Sequence, residues 1–457
     1  MLGSLAPSAA RAQGPATELV LVRDAETESL IRAILHPLFG AAGVDAGLMR
    51  VMLVQARPIN AFVTTGNRLF INTGLIQQSE TALELVGVLA HETGHVAGGH
   101  IARLPEELRN AMIRSIAGMV LGAGAAAAGA RHGGADAAGA LVLGSQSMAM
   151  GQLYAFTRAQ EQAADQAGVT YLDRLGWSAR GMVRVLERLQ DQELLAVGRQ
   201  DPYFRTHPLS RDRLEFLREH LARSPHRDAA LPAAIEQGFA MVRAKLDGFI
   251  DPPAATLRRY REGDASAPAR YARAIAWHRS GRSEEALALL EPLIRERPAS
   301  PWLRELKGQI LFEAGRPAEA AAAYGEAVRL APGEALIRTA HGRALLEAGG
   351  EAGLRQAVEA FEASLRLDRA QAFTWRLLAT AQGRLGRMAE AELALAEEAM
   401  LRGDYAAVRR LAARAEATLP PGPLRLRAQD LRFAVQRENM TREQREAEDA
   451  MRRRPGR

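Results

Sequence analysis

The segment His91-Glu92-Thr93-Gly94-His95 has the residue types and spacing of a catalytic zinc site. Histidines four positions apart on an α-helix project from the same face, so His91 and His95 can bind one metal ion. A catalytic zinc ion has three protein ligands and keeps a fourth position for water or substrate. Glu92 would then accept a proton from the attacking water as the general base. The segment predicts one Zn²⁺ per chain and a hydrolytic reaction.

His100 follows this segment closely, but its spacing does not match that of a third ligand. In one group of zinc peptidases that ligand is a histidine six residues after the second one, and this position holds Ile101. On a continued helix His100 would face away from His91, although Gly98-Gly99 could end the helix first. We expect His100 to lie beside the metal ligands or on the surface.

A better candidate for the third ligand lies in Glu161-Gln162-Ala163-Ala164-Asp165, which opens a helical run. Glu161 would be the zinc ligand. Asp165, one turn later on the same face, would hydrogen-bond a ligating imidazole and fix its tautomer. Taken alone, the two carboxylates would be interpreted as a solvated helix face. Their combination with the histidine pattern favours the metal site.

The elements around the histidine pattern follow from its flanking residues. Apolar residues between Ala16 and Leu38 have partly helical spacing, and the short β-prone runs Val51–Val54, Ala61–Thr64 and Leu69–Ile71 predict a small sheet. From Ser79, a plausible cap, to Ile101 the apolar spacing is helical, which places the pattern on a largely buried helix.

Asn60, Ala61 and Phe62 are candidate substrate-binding residues at the second of these strands. An exposed edge strand beside the zinc would let an extended substrate add as a further strand, which tolerates many sequences. An ordinary core strand explains the same residues equally well.

The second half of the chain repeats with a period of about 34 residues. Glycines recur at a turn, alanines at a small packing position and large residues at a third position. In chain order these are Gly281, Gly315, Gly349 and Gly386; Ala286, Ala320, Ala357 and Ala391; and Leu290, Tyr324, Phe361 and Leu395. The pattern is similar to the tetratricopeptide repeat and predicts about four units from Ala267 to Tyr405, then a helical cap. Such stacks present a concave surface to protein partners, whereas an ordinary helical bundle needs no fixed period.

The composition excludes several other kinds of site. With 457 residues, 47% of them hydrophobic, the chain can form two or more cores. It contains no cysteine, which excludes disulfides, thiolate metal ligands and cysteine nucleophiles. The net charge is +6, but acidic and basic residues are interspersed, so we expect no binding of nucleic acid.

Together these patterns predict an α+β zincin-like metallopeptidase domain followed by an all-α tetratricopeptide-repeat solenoid. We expect residues 1–15 to be a truncated signal peptide or a disordered segment and residues 16–225 to be the zinc metallopeptidase domain. Residues 226–266 would be a helical connector, residues 267–438 the repeat domain and residues 439–457 a basic tail. The Gly/Ala-rich segment 116–150 could be a lid over the cleft or a membrane contact.

The chain resembles the zinc peptidases of the HtpX and CAAX-prenyl protease type at four groups of residues. They are Asn60-Ala61-Phe62 with Asn72-Thr73-Gly74-Leu75; His91-Glu92-x-x-His95-Val96 with His100; Glu161-x-x-Ala164-Asp165; and Thr206-His207-Pro208 with Arg213. The carboxy-terminal repeats narrow the resemblance to the soluble periplasmic, BepA-like branch. By that resemblance His91, His95 and Glu161 would bind zinc and Glu92 would be the base.

The resemblance also implies a role for His207. In the BepA-like branch the corresponding histidine can occupy a fourth zinc position and keep the enzyme latent, whereas elsewhere in the family it lies near the substrate carbonyl. From the residues alone, His207 is a histidine before a proline in an extended stretch.

By the same resemblance, the chain would degrade misfolded or stalled outer-membrane proteins in the periplasm of a Gram-negative bacterium. The repeat domain would dock on substrate or on the outer-membrane assembly machinery, with peripheral membrane contact as a further option. Two alternatives stay open: a chaperone or adaptor with a latent zinc site, and a membrane-associated protease that acts on membrane proteins.

Overall fold

A computed structural model describes residues 20–45, 47, 49–64, 68–100, 103, 157–190, 207, 210–437 and 439–453. Segments 1–15 and 116–150, for which the sequence predicts a signal remnant and a lid, lie outside these residues. The chain divides into two compact units. The first comprises Met1–Arg23 and Glu28–Arg243, and the second comprises Asp24–Thr27 and Ala244–Arg457.

The first unit contains a four-stranded sheet. Its strands are β1 (Leu21–Val22), β2 (Arg50–Val54), β3 (Ala61–Thr64) and β4 (Arg68–Asn72), in the order β1-β2-β4-β3. β2 and β4 are parallel, and the other two pairs are antiparallel. Side chains alternate between the two faces of a strand, and in β4 Leu69 and Ile71 are buried on one face. β3 pairs only with β4 among the described strands, so it lies at an edge.

In the described part of the chain, six helices accompany the sheet. They are α1 (Ala25–Ala42), α2 (Thr73–Gln78), α3 (Ala82–Ala97), α4 (157–175), α5 (Arg180–Gln190) and α6 (Arg211–Arg223). Two expected helix starts are wrong: α1 begins at Ala25, after a strand, and α3 begins at Ala82. Ser79 instead ends α2, where its hydroxyl donates a hydrogen bond of 2.7 Å to the Leu75 carbonyl.

α3 is a buried helix that packs against β3 and α5. Its apolar residues Leu85, Val86 and Leu89 are fully buried because they recur at helical spacing. The buried face continues through His91 and His95, which places the predicted ligands in the interior of the first unit.

Helices make up the described part of the second unit. After α7 (Ala233–Ile250), which continues from the first unit, come α8 (Pro253–Arg259), α9 (Ala267–Arg279), α10 (Ser283–Glu296), α11 (Pro301–Glu313), α12 (Pro317–Leu330), α13 (Ala335–Ala348) and α14 (Gly350–Leu367). They are followed by α15 (Ala372–Arg384), α16 (Met388–Arg402), α17 (Tyr405–Thr418), α18 (Pro423–Ala434) and α19 (Arg442–Arg453). The segment predicted to be a basic tail therefore contains a helix.

The helices from α9 to α16 form four repeated pairs, and each packs against the next. The four turn glycines at the predicted positions all have positive φ values of 75–78°, a conformation that disfavours other residues. The alanine column is 0–5% exposed, and Leu290, Tyr324 and Phe361 of the large column are buried beside it. The second half is a helical-repeat region, as the period predicts.

A buried cluster of charges lies in the second unit. Lys245 Nζ is 2.6 Å from Asp24 Oδ1 and 3.4 Å from carboxylate oxygens of both Glu26 and Glu305. The Tyr271 hydroxyl donates a hydrogen bond of 2.9 Å to Glu26. One ammonium group thus faces three carboxylates, and burial raises the pKa of Glu26 to about 7.

Within the described ranges, no helix combines the length and the apolar composition needed to cross a membrane.

Candidate metal centre and active site

α3 brings the two histidines of the sequence pattern together. Nε2 of His91 and Nε2 of His95 lie 3.0 Å apart, and the two residues are 2% and 6% exposed. Four residues along a helix bring side chains onto one face, which explains the approach of the rings.

α4 supplies the carboxylates. Glu161 Oε2 is 3.4 Å from His91 Nε2, and Glu161 Oε1 is 3.3 Å from His95 Nε2. The two helices approach closely at Gly94, where a Cβ atom would lie 2.6 Å from the backbone oxygen of Ala164. A larger residue at position 94 would therefore push α4, and Glu161 with it, away from the histidines.

His207 completes the cluster from a distant part of the chain. Its Nδ1 atom is 3.3 Å from His91 Nε2 and 3.2 Å from Glu161 Oε1. Its Nε2 atom lies 3.4 Å from Oε1 of Glu92, so the ring lies between the predicted ligands and the predicted base. Glu92 itself is 1% exposed.

The four side chains His91, His95, Glu161 and His207 fit a zinc ion by chemistry and by spacing. Their potential ligand atoms all lie within 4.8 Å of one another. Ligands about 2.0–2.1 Å from a tetrahedral zinc ion are about 3.3–3.4 Å apart. The distances of 3.0–3.4 Å between the donor atoms are close to these edges. Imidazole and carboxylate are ligands that zinc accepts.

Asp165 and Arg213 form hydrogen bonds and ion pairs with members of this cluster. Asp165 Oδ1 lies 2.8 Å from Nδ1 of His91, which leaves Nε2 of that ring for a metal. Arg213, on α6, donates to both oxygens of Asp165 at 2.6 and 3.0 Å, and its Nη1 is 2.9 Å from Glu161 Oε2. A buried guanidinium group thus binds the carboxylates of both Glu161 and Asp165.

The buried charges shift one another's pKa values. Burial alone would lower the pKa of His91, but the hydrogen bonds that its ring donates to the carboxylates of Asp165 and Glu161 raise it to about 10. Burial lowers the pKa of His95 to about 3 and raises the pKa of Glu92. Burial would raise the pKa of Glu161, but the charge and hydrogen bond of His207 hold it well below its usual range. The lowered pKa of Glu161 keeps its carboxylate ionised, and the lowered pKa of His95 keeps its imidazole neutral, which are the forms that bind a metal ion.

Asn60, Ala61 and Phe62 lie at β3 and not in the donor cluster. Asn60 and Ala61 are buried, and the Phe62 ring stacks on Phe70 with 5.2 Å between centroids. The Asn60 carbonyl accepts a hydrogen bond of 2.9 Å from the Asn72 amide. These residues are connected to the site through the packing of β3 on α3.

The sequence left Arg213 without a derived role and left two possible places open for His100. Arg213 was only part of a resemblance, since a single arginine 48 residues from Asp165 gives no local signal. His100 was placed beside the ligands or on the surface, and it is buried with Nδ1 2.9 Å from Nδ1 of His95. The glycine pair before His100 was the available signal, because it ends the helix.

A small sheet with a buried helix that presents two histidines and a glutamate to a carboxylate from a second helix is the arrangement expected of a metallopeptidase. The profile of peptidase family M48 matches residues 25–221, and this part of the chain is an M48 peptidase domain.

Curated relatives extend the similarity. The β-barrel assembly-enhancing protease of Yersinia pestis is 28% identical over 266 residues, covering 56% of this chain and 52% of that protein. A putative protein of the same name from Vibrio cholerae serotype O1 is 29% identical over 286 residues, covering 61% and 57%. Metalloprotease LoiP of Escherichia coli K12 is 29% identical over 174 residues, covering 37% and 61%. The chain spans about half the length of the assembly-enhancing proteases that it matches.

Solved structures show weaker likeness. YrrB, described as a TPR protein with an unusual peptide-binding site, has a TM-score of 0.32 and 20% identity, covering 37% of this chain and 88% of that chain. MamA from Desulfovibrio magneticus RS-1 has a TM-score of 0.28 and 17% identity, covering 44% and 98%. At these TM-scores, neither structure informs the function of this chain.

Proposed function

We propose that the chain is a zinc-dependent endopeptidase of the cell envelope that degrades misfolded or stalled outer-membrane proteins. The proposal of peptide hydrolysis rests on one observation. The buried donor atoms of His91, His95 and Glu161 lie 3.0–3.4 Å apart, and Glu92 is next to His91. The relatives named as β-barrel assembly-enhancing proteases support the outer-membrane part.

His91, His95 and Glu161 would hold the zinc ion. When bound, zinc would polarise the scissile carbonyl and make a water molecule more acidic. Glu92 accepts a proton from the attacking water and then delivers it to the nitrogen of the departing amine, so that the base is regenerated. The burial that raises the pKa of Glu92 suits it to this exchange, because a more basic carboxylate takes up the proton more readily.

The substrate would bind as an extended strand along β3. β3 pairs on one side with β4, and no other strand in the described part of the chain covers its second side. Main-chain hydrogen bonds to the segment Asn60-Ala61-Phe62 would give affinity with little sequence preference. Such tolerance suits an enzyme that acts on misfolded chains of many sequences.

His207 would regulate the site. Its Nδ1 atom lies among the metal-ligand atoms, and a fourth protein ligand would fill the position that catalysis needs open. The chain would then be latent at rest, and His207 must leave before a substrate is cut. The same observation favours a second function, in which the chain is a chaperone or adaptor whose zinc site stays capped.

The repeats would supply the partner-binding surface, since stacked helix pairs present such a surface to proteins. The partners would be unfolded substrates and the outer-membrane assembly machinery, and the compartment would be the periplasm of a Gram-negative bacterium. Peripheral contact with the membrane is compatible with this location.

The test compares degradation of an unfolded protein by the purified full chain and by the Glu92→Gln variant, with zinc content measured in both. We expect both proteins to hold one zinc ion and only the unaltered chain to cut. Glu80→Gln, which changes an exposed glutamate nearby, should cut normally. If both bind zinc and neither cuts, the latent adaptor is favoured. If the unaltered chain binds no zinc, the proposed function is wrong.

A further inference from the structure

We propose that His100 is a positioning residue of the metal site: it accepts a hydrogen bond from His95 and selects the tautomer of His95 that binds metal. This inference rests on the proposed function, because it concerns the same site.

The contact between the two rings is direct and buried. Nδ1 of His100 lies 2.9 Å from Nδ1 of His95, with the ring planes at 81°. His100 is 7% exposed and His95 is 6% exposed, so little water reaches this contact. Two ring nitrogens at this distance share one proton, and one ring must donate while the other accepts.

The direction of the hydrogen bond follows from the other nitrogen of His95. Its Nε2 atom lies 3.0 Å from His91 Nε2 and 3.3 Å from Glu161 Oε1, among the metal-ligand atoms. A neutral imidazole that offers a lone pair at Nε2 carries its proton at Nδ1. His95 is therefore the donor and His100 the acceptor. Asp165 acts on His91 in the same way, at 2.8 Å.

The backbone after α3 turns back and brings His100 into contact with His95. α3 ends at Ala97, and Gly99 has a φ of +62°, a left-handed conformation that turns the chain back. A Cβ atom on Gly98 would lie 2.4 Å from Nε2 of His100, so the ring occupies the space of a missing side chain. On a continued helix His100 would face away from the site; the glycine pair returns it to His95.

The experiment measures zinc affinity of the full chain by competition with a chromophoric chelator. His100→Leu removes the acceptor at similar volume, and we expect zinc to bind about 10–100-fold more weakly. His100→Asn keeps an acceptor oxygen near the position of Nδ1 and should restore most of that loss. His36→Leu, at an exposed histidine of α1, is the matched control and should bind zinc normally.

Gly98→Ala separates positioning from folding. Gly98 has a helical backbone, with φ of −72° and ψ of −11°, so alanine suits the backbone but displaces the His100 ring. We expect weaker zinc binding in a zinc-free chain that still unfolds in one cooperative transition, although the displaced ring lowers its thermal stability. If His100→Leu does not fold, Gly98→Ala and His100→Asn still test the positioning role of His100.

Three results would overturn the inference. His100→Leu could bind zinc as tightly as the unaltered chain, His100→Asn could lose as much affinity as His100→Leu, or Gly98→Ala could bind zinc normally. Each leaves the proposed function intact, provided that the unaltered chain binds zinc. An unaltered chain that binds no zinc overturns the proposed function and this inference together.

Discussion

Replacement of Arg213 should lower the stability of the first unit more than replacement of the other described charged residues outside the proposed metal ligands. Its guanidinium group is 2% exposed and contacts two buried carboxylates, those of Asp165 and Glu161. Replacing Arg213 by methionine keeps an apolar chain of similar length but leaves both carboxylates without this partner. Burying a carboxylate without its counter-charge is costly, so the folded state should lose stability.

Removing one partner of a buried ion pair lowers the free energy of unfolding by about 3–5 kcal/mol, and we expect a loss of this size in Arg213→Met. For a unit of roughly 200 residues, each kcal/mol shifts the melting temperature by about 2–4 °C. Arg213→Met should therefore lower the melting temperature of the first unit by about 6–20 °C. Arg213→Lys should recover only part of this loss, because an ammonium group cannot donate to both oxygens of Asp165 in a fork.

Differential scanning calorimetry of the full chain with excess zinc would measure the shift. The matched control is Arg218→Met on the same helix, where the side chain is 53% exposed and pairs with Glu187, which is 41% exposed. An exposed pair contributes at most about 1 kcal/mol, so the control should melt near the unaltered chain. If the two variants melt at the same temperature, the role assigned to the buried guanidinium is refuted.

Three further outcomes follow from the structure. His207→Ala should raise the rate at which an unfolded protein is cut, because it would open the proposed fourth ligand position; a gel-based degradation assay measures this. Burial raises the pKa of Glu26 from 4.5 to about 7, so the folded chain binds more protons than the unfolded chain in this window, and the second unit should lose stability as pH rises through it. Glu26→Gln should flatten that dependence in melting curves between pH 5 and 8. Gly342→Ala should destabilise the repeats by about 1–3 kcal/mol in urea unfolding, since its Cβ would lie 2.6 Å from the Phe361 ring.

Each of these predictions has an outcome that contradicts it. Slower cleavage by His207→Ala would place this histidine at the substrate instead of at the metal. An unchanged pH dependence in Glu26→Gln would assign the titration to other groups. For the repeats, Gly383→Ala is the control, because no atom lies within 4 Å of its Cβ position and alanine favours a helix. Equal effects of the two glycine variants would argue against the packing explanation.

The sequence predicted the elements whose periodicity is strong. Three of the four strands and the helix of His91 follow from alternation and helical spacing, because burial on one face imposes these periods. β1 was missed, since a strand of two residues is too short for a pattern. The start of α3 was misplaced at Ser79, which is polar and resembles a cap but ends the preceding helix.

By itself, the sequence determined the donor types and the repeats. His91, Glu92 and His95 are fixed relative to one another by the geometry of a single helix, and the turn glycines of the repeats are fixed by their backbone conformation. The sequence proposed Glu161 from its own pattern and His207 by a resemblance, but only the tertiary structure brings both within reach of His91 and His95. It also adds Arg213, whose contact with Glu161 depends on packing between distant parts of the chain that local spacing does not predict.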